Sequence, residues 1–592
     1  MTNLLKKRPI AVVFCVTFLM YSPLLFNHYV GDDNIVMGRN TFYHSWRNLP
    51  RIFGPGAVAD THAIHYNTDL LFDFGTGKDQ YRPISDVTYF LDAQLFSAKP
   101  WGSHFVNILI HCVNAVLVCL IVTKLFSVPF LGIAAGLLFS LHPLQSEPVA
   151  VMSYRADILA AMFVLCAFYA WIRFSRSGYL KQRHYYASLV MYGLAVFSKE
   201  SACLLPLVII VFDQIMGIPR PGSRPRAAAY GGFVLIFLLF LYLYFIVFPT
   251  PLAAAGAFHW LGGSLLNHVF LMGYIWQNYL VNVSAPWTVK MIPGHYCPPL
   301  SVLTAAAAAW IAICFMALMA CFILLWRRYK ECVFFIWWYV VFYIPLSNSV
   351  PIANPMANRY MYLPSIGLLI VAAFFLNKLF GCDCIRKYAG RLSDKLYVCV
   401  LGVCIVLTLF LNGDWKSNYH VASAWVRDYP ADGQGYALLG REYLGTGDVS
   451  KALENLEKSV LLGSYVPGDL LALAACYVRQ ERWTDAEYLL KQIVRRYPGY
   501  AEPLFCLGTV YYKQKRMLQA REALEQALVL NPKKSSGYVL LMNIYQKLHQ
   551  AEDVEALLKK AEVYLSLKNV TGLRRMSMPA ERQDQFSEHD DY

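Results

Sequence analysis

Charge is what this chain has least of. Asp, Glu, Lys and Arg make up 15% of its 592 residues, 57% are hydrophobic, and the mean hydropathy is +0.40. That balance excludes a soluble globular protein of this size and identifies an integral membrane protein. Acidic residues are the scarcer sign, 38 against 52 basic, leaving a formal net charge of +14. The Lys and Arg residues fall in short clusters between apolar runs, as in cytoplasmic loops that fix membrane topology, which argues against nucleic acid as a partner. No Cys-x-x-Cys pair and no zinc-type spacing occurs among the 15 cysteines, which read as packing residues. A Cys-x-Cys pair, Cys382 and Cys384, lies in a basic loop and is assigned no metal. No small-residue cleavage site follows the apolar run after MTNLLKKR, so that run reads as a retained membrane helix with its N-terminus inside.

What is present is a series of apolar stretches near 9–27, 104–126, 127–142, 156–174, 229–249, 302–326, 332–346, 360–379 and 396–412. The run at 185–215 is broken by Lys199-Glu200 and is expected to form two short, tilted helices. The basic loops RFSRSGYLKQRH (173–184), PRPGSRPR (219–226), RRYKE (327–331) and IRKYAGRLSDK (385–395) are all expected on the cytoplasmic side. That constraint makes 264–285 re-entrant, interfacial or a hairpin, and gives about eleven crossings with everything after residue 412 outside the cytoplasm. The first outer loop, 28–103, carries enough aromatic and aliphatic residues to form amphipathic helices on the membrane surface.

Beyond residue 413 an internal repeat appears. Tyr443, Tyr477, Tyr511 and Tyr545 are 34 residues apart, and Leu439, Leu473, Leu507 and Leu541 keep the same register. Gly440 and Gly508, the alanines Ala452, Ala486 and Ala520, and Pro498 and Pro532 complete a tetratricopeptide pattern. About four such helix pairs are expected over 413–572, with a disordered polar tail over 573–592. The fold class is therefore all-α: a polytopic helical bundle over 1–412, then an α-solenoid.

Ionisable residues at membrane depth are costly and mark function by default. On the outer face stand Asp32 and Asp33, Tyr81 and Arg82, His104 with Asn107 and His111, His142 with Glu147, Arg155 with Asp157, Lys199-Glu200, and Arg359 before Tyr362. Taken singly, the His104/Asn107/His111 stripe could be interhelical hydrogen bonding, and Arg155/Asp157 a loop-stabilising pair. Together, Arg82, Arg155, Lys199 and Arg359 with nearby carboxylates suit an anionic, lipid-linked substrate, since charge-assisted bonds from Arg and Lys favour phosphate. One carboxylate would then deprotonate an acceptor hydroxyl as phosphate leaves, with no cofactor. Whether a divalent metal assists is open.

In order along the chain, GDDNIVMGRN, YRPISDVTYF, HFVNILIH, GLLFSLHPLQSEPVAVMSYRADILA, FSKESACLLPL and NRYMYLPSIG resemble the membrane half of the transmembrane and tetratricopeptide-repeat-containing O-mannosyltransferases and their bacterial relatives. The resemblance covers 1–412 and continues into the repeats. It implies a class C glycosyltransferase fold and sugar transfer from a polyprenyl phosphate to Ser or Thr of an extracytoplasmic protein acceptor recruited by the repeats. Such a chain would sit in an inner membrane with periplasmic repeats, or in the endoplasmic reticulum with lumenal ones. The resemblance matches Asp32 and Asp33 to the family's catalytic acidic pair, and the His142–Arg155 block and Lys199-Glu200 to pocket-facing segments. Either aspartate can be the base, and Asp33 is preferred. Asn358 stands where eukaryotic members usually carry Glu, 250–300 matches loosely, and the array is shorter than usual. A membrane-anchored repeat scaffold without enzymatic activity is the competing reading.

Overall fold

Long apolar runs without water to satisfy their backbone fold as helices, because only internal hydrogen bonding avoids stranded peptide groups in lipid. The computed structural model describes residues 9–38, 40–54, 81–217, 223–247, 264–291, 305–326, 328–348, 354–381 and 392–577, and no strand occurs among them. The chain divides into two units with a boundary at Asp428/Tyr429.

The first unit contains α1 (Pro9–Tyr21), α2 (Pro83–Phe96), α3 (Pro100–Phe126), α4 (Pro129–Ser140), α5 (Arg155–Ser175), α6 (Gln182–Val196) and α7 (Leu205–Ile215). It continues with α8 (Ser223–Tyr242), α9 (Leu265–Ser284), α10 (Ala305–Trp326), α11 (Lys330–Tyr343), α12 (Tyr362–Gly381), α13 (Leu392–Asp414) and α14 (Asn418–Asp428). Each expected apolar stretch contains a helix among its described residues. Among the described residues six helices are long and apolar enough to cross a membrane, seven if the pair α13 and α14, bent by 118°, counts as one span. The expected count was about eleven; the difference lies in short helices such as α4, whose 12 residues fall below the roughly 20 that a bilayer core requires. The chain is a multi-pass membrane protein. Lys199 separates α6 from α7 as expected, at a short 3-10 turn over Glu200–Leu204.

One alternative for 264–285 is corrected. A hairpin is excluded, because α9 runs unbroken for 20 residues from its cap, where Ser264 accepts from the Asn267 amide. Calls on the cytoplasmic loops at 219–222 and 385–391, on Cys382 and Cys384, and on 55–80 of the outer loop lie outside the described residues. The described part of that loop is amphipathic. Tyr29, Phe42, Tyr43, Tyr89 and Phe90 form an aromatic cluster against Met152, while Trp46, Phe53, Leu95 and Trp101 remain exposed.

Close backbone approach sets the packing of α3 on α4. A Cβ on Gly132 would sit 2.6 Å from the Cys119 carbonyl, and one on Gly136 2.8 Å from that of Ala115. The Gly-xxx-Gly spacing thus draws two helices together where lipid offers no hydrophobic drive.

The second unit is four helix pairs: α15 (Gly433–Thr446) with α16 (Val449–Leu461), α17 (Pro467–Arg479) with α18 (Trp483–Arg496), α19 (Ala501–Lys513) with α20 (Met517–Leu530), and α21 (Ser535–Lys547) with α22 (Ala551–Tyr564). Small residues lie where paired helices touch. Ala452, Ala486 and Ala520 are fully buried, and a Cβ on Gly440 or Gly508 would collide with Leu456 or Leu524. The array closes with α23 (Leu567–Ser577), so 573–577 of the expected tail are helical, and Leu573 is buried in the repeat core. Residues 578–592 lie outside the described set.

Candidate active site

Asp32 and Asp33 sit on a turn built around Gly31. The Asp33 amide donates to the Val30 carbonyl at 3.0 Å, and Gly31 has φ +50, a left-handed backbone that a residue without Cβ adopts at least cost. The turn aims the two carboxylates differently. Asp33 is fully buried and accepts from the backbone amides of Met152 (3.0 Å) and Ser153 (2.8 Å), one to each oxygen. It thereby ties the turn to the entry of α5. Asp32 lines a cleft.

Across that cleft lies Glu147, from the helical turn Ser146–Ala150, with Arg359 from the 3-10 turn Asn358–Met361. The Arg359 Nη1 donates to Glu147 Oε1 at 2.6 Å, its backbone amide donates to Oε2 at 3.3 Å, and its guanidinium lies 4.0 Å from the Tyr154 ring centroid. Burial pushes the Glu147 carboxyl above the ordinary range against the pull of Arg359. Trp415, Val421, Met291 and Met356 supply an apolar wall.

Two further pairs continue from Arg359. Tyr360 has the Arg359 guanidinium at 5.0 Å on its ring and the Lys199 ammonium at 5.6 Å; Lys199 is paired with Asp157. Burial lowers the Lys199 ammonium despite that partner. Arg82 holds Glu200 in a two-pronged contact, Nε to Oε2 at 3.1 Å and Nη2 to Oε1 at 2.8 Å. Burial alone would raise the Glu200 carboxyl, but Arg82 and then Lys199 override it and hold it below the usual range.

Arg155 stands apart from this row. It is fully buried, and its guanidinium donates to Asp92 (2.6 Å), Asn107 Oδ1 (2.7 Å), the Ser103 carbonyl (3.0 Å) and Thr88 Oγ1 (3.2 Å). Arg155 braces α2, α3 and α5 rather than facing the cleft. Asp92, its charge partner, had gone unremarked in the sequence, although a lone acid on the apolar side of an amphipathic segment is the signal that would have found it.

The histidine and amide stripe is likewise internal. Asn107 donates to the carbonyls of Val149 and Val151; His111 bonds the Tyr362 hydroxyl at 2.7 Å and the Ser140 carbonyl at 3.1 Å; Asn114 also donates to Tyr362. His104 is fully buried beside Tyr29. His142 caps the turn after α4, accepting from the Leu144 amide and facing the Val283 carbonyl. Tyr81 packs on Phe197. Of the sequence-derived residues, the structure brings Asp32, Glu147 and Arg359 into the cleft, with Asp157, Lys199, Arg82 and Glu200 continuing from them. It uses Asn107, His111, Tyr362 and Arg155 as internal ties, while His104 is buried against Tyr29. Among the described residues no group of three or more His, Cys, Asp or Glu is arranged to hold a metal ion.

Residues 87–248 match the family model described as dolichyl-phosphate-mannose-protein mannosyltransferase, and 437–501 and 501–534 match tetratricopeptide-repeat models. The human protein named Protein O-mannosyl-transferase TMTC3 is 23% identical over 86% of this chain and 65% of its own length. The chain is similar in sequence to the TMTC proteins. Protein O-mannosyl-transferase TMTC4 of Homo sapiens is 22% identical over 64% of the chain and 57% of its own length. Drosophila melanogaster Tmtc2 is 31% identical over 25% of the chain and 16% of its own length. The chain spans just under two-thirds of the length of its TMTC3 relatives. Among solved structures, one titled "Crystal structure of MamA" covers 27% of the chain and 90% of its own at 20% identity, with a TM-score of 0.22. The mannosyltransferase match takes in Asp92, Glu147, Arg155, Asp157, Lys199 and Glu200, while Asp32 and Arg359 lie outside it.

Proposed function

We propose that this chain is a protein O-mannosyltransferase that takes a hexose, mannose, from a polyprenyl phosphate and places it on a Ser or Thr hydroxyl of an extracytoplasmic protein, with Asp32 as the general base. The observation that carries the reading is Asp32 in a cleft with the Glu147–Arg359 pair opposite, while Asp33 is occupied by two backbone amides. Both oxygens of Asp33 are engaged by backbone amides and Asp33 is not among the residues lining the cleft, which disfavours it as the base. Asp32 takes the proton of the acceptor hydroxyl, the hydroxyl oxygen attacks the anomeric carbon, and the bond to phosphate breaks with its electron pair leaving on phosphate oxygen. Arg359, with Lys199 and Arg82 beyond it, stabilises that charge. A phosphate leaving group needs little protonation, so no second acid is required. The repeats recruit the protein acceptor on their concave surface, and cleft and repeats lie outside the cytoplasm, in the lumen of the endoplasmic reticulum or the periplasm.

The test is transfer by the purified chain in lipid nanodiscs from polyprenyl phosphate mannose to a Ser/Thr-containing acceptor, read by mass spectrometry. Transfer that disappears in Asp32→Asn supports the reading. An Asp32→Asn variant that transfers at the wild-type rate sinks it and leaves the repeat-scaffold alternative.

A further inference from the structure

The turn that carries Asp32 is gripped from a distant part of the chain. Asn27 Nδ2 donates to the Trp415 carbonyl at 3.2 Å, the His28 amide donates to the Lys416 carbonyl at 3.0 Å, and the Gly31 amide donates to Asn418 Oδ1 at 2.9 Å. These acceptors belong to the elbow between α13 and α14, and the elbow's Trp415 also lines the cleft. The elbow is itself braced at its ends: Arg427 grips both oxygens of Asp414 at 3.1 and 2.9 Å, and Lys290 reaches the Asp428 carbonyl.

Gly31 is the residue whose left-handed backbone decides where Asp32 points, and its amide is the atom Asn418 holds. On the other side of Asp32, the Asp33 carboxylate is held by the Met152 and Ser153 amides. Asp32 therefore lies between two anchors. One is the clamp to the turn that leads into α5; the other comes from the side chain of the first residue of α14. A carboxylate misplaced by about 1 Å from a hydroxyl loses on the order of 100-fold in rate, because proximity and alignment supply much of the acceleration.

We propose that Asn418 is a positioning residue for this reaction: by accepting the Gly31 amide it holds Asp32 at the reacting distance, so that the α13–α14 elbow is part of the catalytic apparatus and not only the membrane unit's exit. This rests on the transferase reading with Asp32 as base. Asn418 touches neither donor nor acceptor, so its loss acts on the chemical step and not on donor affinity.

The experiment uses the full chain in lipid nanodiscs with polyprenyl phosphate mannose as donor, comparing wild type, Asn418→Ala and Asn418→Asp. Asp keeps an oxygen where Asn418 Oδ1 stands and serves as the conservative rescue. Expected for Asn418→Ala are a fall in kcat of about 10- to 100-fold, a donor KM within about twofold of wild type, and faster hydrogen–deuterium exchange of the Gly31 amide. Asn418→Asp retains slow exchange there and recovers most of kcat. An unchanged kcat in Asn418→Ala, or equal losses in Ala and Asp variants, overturns the inference while leaving the transferase reading in place. A donor KM that rises as much as kcat falls overturns it too. No transfer by the wild-type chain overturns the transferase reading, and this inference with it.

Discussion

Replacing each aspartate of the Gly31 turn by asparagine separates a chemical from a structural carboxylate. In Asp33→Asn one oxygen still accepts one amide, but the new NH2 faces the second, so a charge-assisted bond is lost and a buried N–H is stranded at either Met152 or Ser153. With about 1.5–3 kcal/mol for the bond and about 1–3 for the stranded donor, and the two overlapping in part, a loss of about 3 kcal/mol is expected. Asp32→Asn removes the base, which costs about 10²- to 10⁴-fold in kcat. Kinetic stability in detergent, followed as the half-life of the monodisperse protein at fixed temperature, reads the first; single-turnover transfer reads the second. The expected pattern is a short-lived Asp33→Asn with residual transfer and a long-lived Asp32→Asn without it. If Asp33→Asn proves as durable as wild type yet wholly inactive, Asp33 is the base and the assignment made from the amide bonds is refuted.

Other perturbations follow from the same contacts. Asp92→Ala strands the fully buried Arg155 guanidinium and is expected to cost about 3–5 kcal/mol, seen as loss of monodisperse protein on extraction; Arg155→Lys in the otherwise wild-type chain is also expected to destabilise, because one ammonium cannot reach four acceptors spread over a planar fork. Gly508→Val in the third repeat pushes a branched side chain into Leu524 and is expected to cost about 1–3 kcal/mol, read as faster proteolysis within 429–577, with partial rescue by Leu524→Ala. Asp86 accepts from the Tyr43 hydroxyl, and burial lifts its carboxyl from an ordinary 3.8 to about 7. The folded state thus holds a proton that the unfolded state releases, and stability falls as pH rises from about 4 to about 7. Asp86→Asn is expected to remove that fall, a gain at pH 8 of at most about 4 kcal/mol and nearer about 2 given the side chain's partial exposure, measured as inactivation half-lives at pH 5 and pH 8.

The helices and the repeats were legible because their causes are local. Apolar length specifies a membrane helix, and a 34-residue recurrence of small and large residues specifies stacked pairs, so each expected span and each of the four repeats has its helix in the structure. The unbroken α9 was less legible: a charge-side constraint on RRYKE left a re-entrant, an interfacial and a hairpin course open for 264–285, and the continuous helix removes the hairpin. The site was half legible. That Asp32, Glu147 and Arg359 belong together could be suspected from the cost of charge near a membrane, but Glu147 and Arg359 are 212 positions apart and their direct pairing is a tertiary fact. The roles of the two aspartates could not be divided from sequence, because the division depends on which carboxylate meets the Met152 and Ser153 amides. Arg155 read as a substrate cation for a similar reason: its decisive partner, Asp92, lies just beyond the YRPISDVTYF motif, and their pairing is a tertiary contact across 63 positions.

The Arg155 brace has a consequence for how such a chain can be made. Every acceptor it uses lies between residues 88 and 107, and the Asp33 clamp closes on residues 152 and 153. When a ribosome has delivered α5, the partners of its buried cation are already synthesised, and nothing further along is needed to neutralise it. The costliest charge in the bundle is therefore insertable early, as a self-contained block of about the first 175 residues, onto which later helices such as that following Arg359 dock with their own counter-ion, Glu147, already waiting.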